Sequence, residues 1–193
     1  MVNAYLIAFG GLLLHAGRLG DPIGRRRIFM IGLTVFTVAS LACGLAQSEA
    51  MLVGARFVQG VAGALTSAVI LGIIVTMFPE RGEHARAIGV YSFVASAGGS
   101  IGLLLGGELT EAINWHWIFI VNLPIAMVTG LLAMRLVERD EGIGLGRGAD
   151  LLGAVLLVAG LMIGVYTIVE TINQGWGSTQ TLGFGAAALP RIR

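Results

Sequence analysis

The sequence predicts an all-α integral membrane protein, and two features of its composition lead to that fold class. Of its 193 residues, 56% are hydrophobic and only 12% are charged, whereas about 25% of the residues of a soluble domain are charged. The apolar residues also form runs of about 20, the length that a helix needs to cross a membrane. The charges lie in bands between these runs, so the net charge of +1 does not indicate a nucleic-acid partner.

Five apolar runs are long enough to span a membrane. They cover residues 28–47, 51–78, 87–107, 112–134 and 151–169. Two shorter runs, 1–16 and 181–190, flank them, and we interpret both as truncated ends of a larger protein. The single cysteine, Cys43, lies inside a run, where we expect it to be a small packing residue.

The arginines between the runs predict the topology. If residues 17–27 lie on one side of the membrane, residues 79–86 and 135–150 share that side, and residues 48–50, 111–115 and 170–180 lie opposite. All the arginines of these segments are then on the first side: Arg18, Arg25, Arg26, Arg27, Arg81, Arg86, Arg135, Arg139 and Arg147. Arginine-rich loops stay in the cytoplasm. We therefore expect a multi-pass protein of the plasma membrane.

The first arginine-rich segment, 17–27, is predicted to be a tight turn bounded by glycines. It resembles the signature G-x-L-A-D-x-x-G-R-[RK] of the major facilitator superfamily. The matching residues are Gly17, Leu19, Asp21, Gly24, Arg25 and Arg26, while Gly20 and Pro22 depart from the pattern. In that superfamily the turn is a cytoplasmic latch that breaks and re-forms as two halves of the transporter rock. The alternative is an ordinary cytoplasmic turn that only sets the topology.

Arg56 is the only charged residue within the apolar spans, and two interpretations of it are open. It can face a cavity or a partner, or its side chain can extend to the outer interface, because Met51 is only about 7.5 Å away along a helix. The run Leu52 to Gly63 resembles the fourth-helix pattern of the same superfamily. That resemblance implies a role in proton coupling for Arg56 and Gln59.

Five glycines resemble the fifth-helix antiporter motif of exporters in the superfamily. They are Gly89, Gly98, Gly102, Gly106 and Gly107, with Leu103 where proline is usual. Three of them repeat every four residues and so share one helix face that a partner backbone can approach closely. Generic packing of small residues is the alternative to a motif role.

The segment 114–125 resembles the opening of the sixth helix in drug:proton antiporters. Trp115 and Trp117 suit the membrane–water interface, and we expect His116 to lie there too. Segment 150–178 is similar to the extra helix pair of the fourteen-helix members. The resemblance therefore implies a partial superfamily bundle, about helices two to seven plus part of eight. We divide it into an incomplete six-helix half (1–138, first helix missing), a cytoplasmic linker (139–150) and a truncated extra-helix region (151–193).

The resemblance implies a secondary transporter, a proton-coupled multidrug or antibiotic efflux antiporter. Its expected partners are the lipid bilayer, protons and a small hydrophobic or cationic drug-like substrate. The sequence contains no phosphate loop, metal-ligand cluster or nucleophile triad, so we expect no enzyme activity, metal or cofactor, with the proton gradient as the driving force. Two alternatives remain open: an exporter of another small metabolite in the same superfamily, and a non-transporting membrane fragment. We expect this chain alone not to transport.

Overall fold

The computed structural model describes residues 2–138 and 158–168, except for the side chains at positions 2, 18, 19, 21 and 22. All the regular structure in these two ranges is α-helical. The helices are α1 (Val2–Ile23), α2 (Arg25–Gly44), α3 (Glu49–Met77), α4 (Arg81–Ala112), α5 (Trp117–Ile120), α6 (Asn122–Leu136) and α7 (Val158–Ile168).

Four stretches of helix in the described part of the chain are long and apolar enough to cross a membrane. They are α2 with 20 residues, α3 with 29, α4 with 32, and α5 with α6 as one segment of 20. The predicted fold class, an all-α membrane protein, is confirmed. Helix α7 covers part of the predicted span 151–169. The rest of that span, the predicted linker 139–150 and residues 169–193 lie outside the described residues, so the predicted domain division stays a prediction.

The predicted turn over residues 17–27 is wrong in its extent. Helix α1 continues to Ile23 and α2 begins at Arg25, so Gly24 alone separates the two helices. Its φ of 101° is a conformation that glycine adopts without the steric cost borne by other residues. The Gly24 N–H donates to the Gly20 carbonyl at 3.0 Å, and the Gly24 carbonyl accepts from Ile28 at 3.1 Å. The backbone bonds of both helices therefore continue up to the break.

Helix α3 is the centre of the described structure. Its interfaces with α1 and with α2 are more extensive than the interface between any other two of the described helices. Glycines allow the close approach. A Cβ atom built on Gly60 would lie 2.5 Å from the Tyr5 carbonyl oxygen of α1. One built on Gly32 of α2 would lie 3.1 Å from the Ala62 carbonyl oxygen of α3. Without a hydrophobic force between helices in lipid, such close backbone packing is a main source of association.

Polar side chains bind the backbone at two helix ends that are predicted to face outward, the start of α3 and the end of α2. Ser48 precedes α3, and its hydroxyl accepts a hydrogen bond from the Met51 N–H at 3.2 Å, which is the usual N-cap arrangement. The His116 Nδ1 atom lies 2.9 Å from the Gly44 carbonyl oxygen, so the tautomer with a proton on Nδ1 donates to the end of α2. His116 thus joins α5 to α2, and its ring stacks on Trp115 with centroids 3.7 Å apart.

Helix α4 differs from the others because none of its residues is buried. Phe93 is 74% exposed and Leu103 is 82% exposed. The helix has only limited contact with α3 and α5 among the described elements. Its apolar surface is therefore available to lipid or to another protein segment.

Candidate functional site

The guanidinium of Arg56 is turned into the helix bundle. Its Nη1 atom donates to Gln59 Oε1 at 3.0 Å, one turn further along α3. Its Cζ atom lies 4.8 Å from the centre of the Phe119 ring and 5.7 Å from that of Tyr5, within the range of a cation–π interaction. This geometry favours a position against partners within the bundle over extension to the outer interface. The role of Arg56 in proton coupling stays a prediction.

Gln59 links this arginine to α2. Its side chain is 2% exposed, and its Nε2 atom donates to the Ser40 hydroxyl at 2.8 Å. Because a guanidinium only donates, the Gln59 oxygen must face Arg56 and its nitrogen must face Ser40. Buried polar groups without partners are costly, so the two bonds explain how a glutamine is accommodated here. We call Arg56, Gln59, Ser40, Tyr5 and Phe119 the Arg56 cluster.

A small apolar core lies beside the cluster. It contains Cys43, Ala46, Leu52 and Phe119, all buried, with Ala55 packed against it. Phe119 belongs to both groups, so one face of the Arg56 guanidinium contacts an apolar environment. Cys43 is a buried free cysteine, which agrees with its expected role as a packing residue.

The predicted gating residues Arg25 and Arg26 hold the start of α2 against two other helices. Arg25 Nη1 donates to the Gly72 carbonyl at 2.8 Å and to the Thr76 hydroxyl at 2.6 Å, both on α3. Arg26 Nη2 donates to the Met134 carbonyl of α6 at 2.6 Å. The Met134 carbonyl belongs to the last turn of α6, where carbonyl groups lack partners within their own helix and arginine is well suited to bind them. The Gly72 carbonyl lies within α3 and also accepts from the Thr76 hydroxyl at 2.8 Å.

Three other residues of the predicted gating turn have different positions. Gly24 forms the break between α1 and α2, as described above. Gly17 lies within α1, where a built Cβ atom would come no closer than 4.0 Å to Ala68. Asp21 also lies within α1, and its side chain is outside the described part of the structure. The predicted role of Asp21 in the cytoplasmic latch stays a prediction.

The five glycines of the predicted antiporter motif lie on α4, where they make no close contact with the described residues. A Cβ atom built on Gly89, Gly98, Gly102, Gly106 or Gly107 would meet nothing within 4 Å among the described atoms. The expected approach of a partner backbone to this face is therefore absent from the described ranges.

Ser40, Tyr5, Phe119 and His15 are candidate residues that sequence reasoning missed. Ser40 shares its apolar run with Thr34, Thr37 and Gln47, so its residue type alone did not distinguish it. Tyr5 looks like an ordinary residue of its apolar run and Phe119 belongs to the motif segment 114–125, and only the folded arrangement brings them to Arg56. His15 of α1 has a buried Nδ1 atom without a hydrogen-bond partner among the described residues.

The described residues offer no site for a metal ion. In residues 2–138 and 158–168, no three His, Cys, Asp or Glu side chains are grouped so that they could hold one.

Comparison with known proteins identifies the family. The sequence profile of the Major Facilitator Superfamily matches residues 1–189. The chain belongs to the major facilitator superfamily. The resemblance inferred from the motifs is thereby confirmed, and the helices described above form part of a superfamily bundle.

Several superfamily relatives have names that refer to antibiotics. The puromycin resistance protein Pur8 of Streptomyces alboniger is 44% identical over 177 residues, which cover 92% of this chain and 35% of that protein. The cephamycin export protein CmcT of Amycolatopsis lactamdurans is 42% identical over 178 residues, 92% of this chain and 37% of that protein. The tetracenomycin C resistance and export protein of Streptomyces glaucescens is 35% identical over 192 residues, which cover 98% of this chain and 35% of that protein. The chain thus spans about a third of the length of these relatives.

Proposed function

We propose that the chain is part of a proton-driven efflux antiporter for small hydrophobic or cationic drug-like molecules in the plasma membrane. The observation that carries this proposal is the Arg56 cluster. Charged residues within membrane spans are rare, and they mark substrate or ion pathways. Here the charge is half-buried and bonded to a buried glutamine. The names of the relatives support a drug or antibiotic as the transported substrate.

Arg56 contributes to coupling through its charge, because an arginine side chain does not release its proton in proteins. The four other members of the cluster, Gln59, Ser40, Tyr5 and Phe119, carry no charge at neutral pH. A positive charge of this kind disfavours a proton or a cation nearby and favours a carboxylate. A carboxylic acid brought next to Arg56 would therefore release its proton, and one moved away from it would bind a proton again.

Gln59 and Ser40 fix the position of that charge. The bond between Gln59 and Arg56 sets the direction of the guanidinium, and the bond from Gln59 to Ser40 anchors the amide on α2. A movement of α2 relative to α3 would thus be transmitted to Arg56. In the alternating-access cycle, this would connect the conformation of the bundle to the proton site.

Arg25 and Arg26 form the second functional region, a cytoplasmic latch. Their bonds tie the start of α2 to the ends of α3 and α6. Opening on the cytoplasmic side requires these helix ends to separate, and closing restores the bonds. The positive-inside distribution of arginines supports the cytoplasmic placement of this region.

The test is a chimera in which the 177 residues that align with the puromycin resistance protein Pur8 replace the matching segment of that protein. We expect cells with this chimera to resist puromycin and to lose resistance when a protonophore collapses the proton gradient. Arg56→Gln and Gln59→Leu should lower energised efflux at least roughly tenfold, which corresponds to an interaction of about 1.4 kcal/mol. Arg27→Gln, an exposed arginine outside both regions, is the matched control.

Each other outcome contradicts a different part of the proposal. Resistance that survives the protonophore would exclude proton coupling. A chimera that reaches the membrane and exchanges protons without exporting puromycin would favour an exporter of another metabolite. A chimera that inserts normally but moves neither drug nor protons would favour a non-transporting fragment.

A further inference from the structure

The first half of α4 forms a groove with the end of α3, at the predicted cytoplasmic side of the membrane. The groove has a volume of about 550 Å³. Its lining on α4 includes Glu83, Arg86, Val90, Tyr91 and Val94. A spacing of i, i+3, i+7, i+8 and i+11 places these residues on one face of the helix. We call this feature the α3–α4 groove.

The polarity of the α3–α4 groove changes along its length. Glu83 and Arg86 lie at its start, and Tyr91 follows about 7.5 Å beyond Arg86 along the helix. The rest of the described lining is apolar and consists of Ala87, Val90 and Val94 on α4 with Ile74 and Phe78 from α3. Two opposite charges therefore lie at the predicted membrane interface, a hydroxyl lies deeper, and an apolar surface continues into the membrane.

The two charges of the groove are not neutralised within the described part of the chain. Glu83 and Arg86 are both exposed, and neither makes a hydrogen bond or an ion pair with another described residue. The Tyr91 hydroxyl is likewise without a partner in residues 2–138 and 158–168. Side chains three residues apart on a helix have Cβ atoms about 5–6 Å apart, so one small polar group can reach both charges.

The charge pair determines the polar group of a ligand. A ligand with a single charge would be attracted by one of the two residues and repelled by the other. A carboxylate only accepts hydrogen bonds and a guanidinium only donates them, so the complementary group carries an ammonium next to an anion. Arginine binds phosphate in a planar, two-bond geometry. A primary ammonium has three N–H donors for Glu83, whereas a trimethylammonium has none.

The order of groups along the groove matches a glycerophospholipid. Below the phosphate of such a lipid come ester carbonyls and then hydrocarbon chains, and the groove presents Tyr91 and then apolar residues at these depths. Over the roughly 16 Å from Glu83 to Val94, the volume of about 550 Å³ gives a cross-section of roughly 35 Å², whereas a helix 10–12 Å across needs about 80 to 110 Å². An extended hydrocarbon chain fits, and a helix does not.

We propose that the α3–α4 groove binds one phosphatidylethanolamine molecule of the cytoplasmic leaflet, with its ammonium at Glu83, its phosphate at Arg86 and part of one acyl chain between the helices. The site is independent of the proposed transport activity, because it requires only α3, α4 and a bilayer. Direct contact between these two helices is limited. The lipid would therefore attach the start of α4 to the rest of the described bundle.

The experiment uses the full 193-residue chain, purified and titrated with phosphatidylethanolamine, phosphatidylcholine or phosphatidylglycerol, with bound lipids counted by native mass spectrometry. We expect one phosphatidylethanolamine to bind at least roughly tenfold more tightly than either other lipid, because only its headgroup makes charge-assisted hydrogen bonds to both residues.

Variants of the two charged residues test the headgroup contacts. Arg86→Gln should weaken phosphatidylethanolamine binding at least roughly tenfold. Glu83→Gln should remove the preference over phosphatidylcholine and should strengthen phosphatidylglycerol binding, because the groove then keeps only a positive charge. Glu80→Gln and Arg81→Gln are the matched controls. Both are exposed charged residues just before Glu83 that do not line the groove, and they should leave binding unchanged.

Two uncharged variants keep the test independent of whether the charge variants fold. Tyr91→Phe should weaken phosphatidylethanolamine binding about fivefold, the effect of one hydrogen bond. Val94→Trp fills the groove and should weaken binding of the lipid, whereas Phe93→Trp, at the adjacent exposed position outside the groove, should not. Circular dichroism of every variant checks that helical content is retained.

Three results would overturn the proposal. Equal binding of phosphatidylethanolamine and phosphatidylcholine would show that Glu83 does not select the ammonium. An equal loss in Arg81→Gln and Arg86→Gln would show general attraction to a charged surface instead of a site. Absence of bound lipid together with cross-linking of Val94→Cys to a second copy would show that a protein segment covers the groove.

Discussion

Glycine has opposite consequences in two regions of this molecule. Along the junction of α1, α2 and α3, glycines lie where neighbouring backbones come closest, and a Cβ atom on Gly60 or Gly32 would approach a carbonyl oxygen within 2.5 or 3.1 Å. Along α4, five glycines at motif spacing face open space among the described atoms. The same residue type therefore marks a completed contact in one region and an exposed face in the other.

Two polar residues of the junction differ from those of α4 in their hydrogen bonds. The junction contains the buried Ser40 and Gln59, which are bonded to each other. On α4 the hydroxyls of Ser100 and Thr110 are exposed and donate to carbonyls of their own helix. Small and polar residues thus stabilise a helix pair only where a second helix supplies the matching surface.

The largest effect is expected at Gly60. The new Cβ atom of Gly60→Ala would lie 2.5 Å from a backbone oxygen and 2.9 Å from the Ala8 Cβ atom, and neither can move without shifting α1. We expect a loss of about 3 kcal/mol in the free energy of unfolding, which is the upper end of the range that overpacking of a core costs. Unfolding in detergent, followed by circular dichroism, measures it.

Gly54→Ala is the matched control, because Gly54 lies on the same helix with nothing within 4 Å of its built Cβ atom. Alanine should be neutral or stabilising there by up to about 1 kcal/mol. Equal destabilisation by the two substitutions would contradict the close contact between α1 and α3.

Ser40→Ala tests the buried polar link. The substitution leaves the Gln59 Nε2 group without its described acceptor, and an unsatisfied buried donor costs about 1–3 kcal/mol. Thermal unfolding of the purified chain should show the loss. Ser92→Ala, at an exposed position of α4, should leave the unfolding temperature unchanged, and a neutral Ser40→Ala would indicate that Gln59 has another partner.

Gly72→Ala is expected to have a smaller effect, because the atoms it meets belong to a flexible side chain. Its Cβ atom would lie 2.9 Å from Arg25 Nε and 3.0 Å from Arg25 Cδ. Displacing the arginine should cost about 1 kcal/mol, close to the net value of a hydrogen bond. In an Arg25→Ala background the cost should vanish, and a double-mutant cycle measures that coupling. Additive effects would show that the two residues do not interact.

The smallest effect is expected for Gly102→Ala on α4. With nothing within 4 Å of the built Cβ atom, the substitution should change the free energy of unfolding by less than about 1 kcal/mol, in the stabilising direction set by helix propensity. The unfolding temperature of the purified chain is the measurement. A clear destabilisation would show that another segment or a second copy packs on this face.

Much of the architecture could be predicted because membrane spans depend on composition and length. The apolar runs anticipated α2, α3, α4 and the α5–α6 segment, and the motifs indicated the correct family. Arg56 and Gln59 could be selected because polar residues are conspicuous in such runs. The extent of the turn at 17–27 could not be predicted, because charged residues are more frequent in loops but also occur within helices. A one-residue break at Gly24 gives the same topology as a longer turn.

The partners of the selected residues were also beyond sequence reasoning. Tyr5 and Phe119 are far from Arg56 in sequence and resemble any other aromatic residue of a membrane span. The glycine spacing on α4 correctly defines one face of a helix, but spacing alone does not say what contacts that face. Contacts between helices depend on their relative positions, which local patterns do not encode.

The contacts of α2 with α3 extend along most of α2. Arg25 meets Gly72, Gly32 meets Leu65, and Ser40 meets Gln59. From Arg25 to Ser40 the helix rises by about 22 Å. The arginine contacts and the buried serine are therefore opposite ends of one interface, and a rotation of α2 by a fraction of a turn would disengage both together.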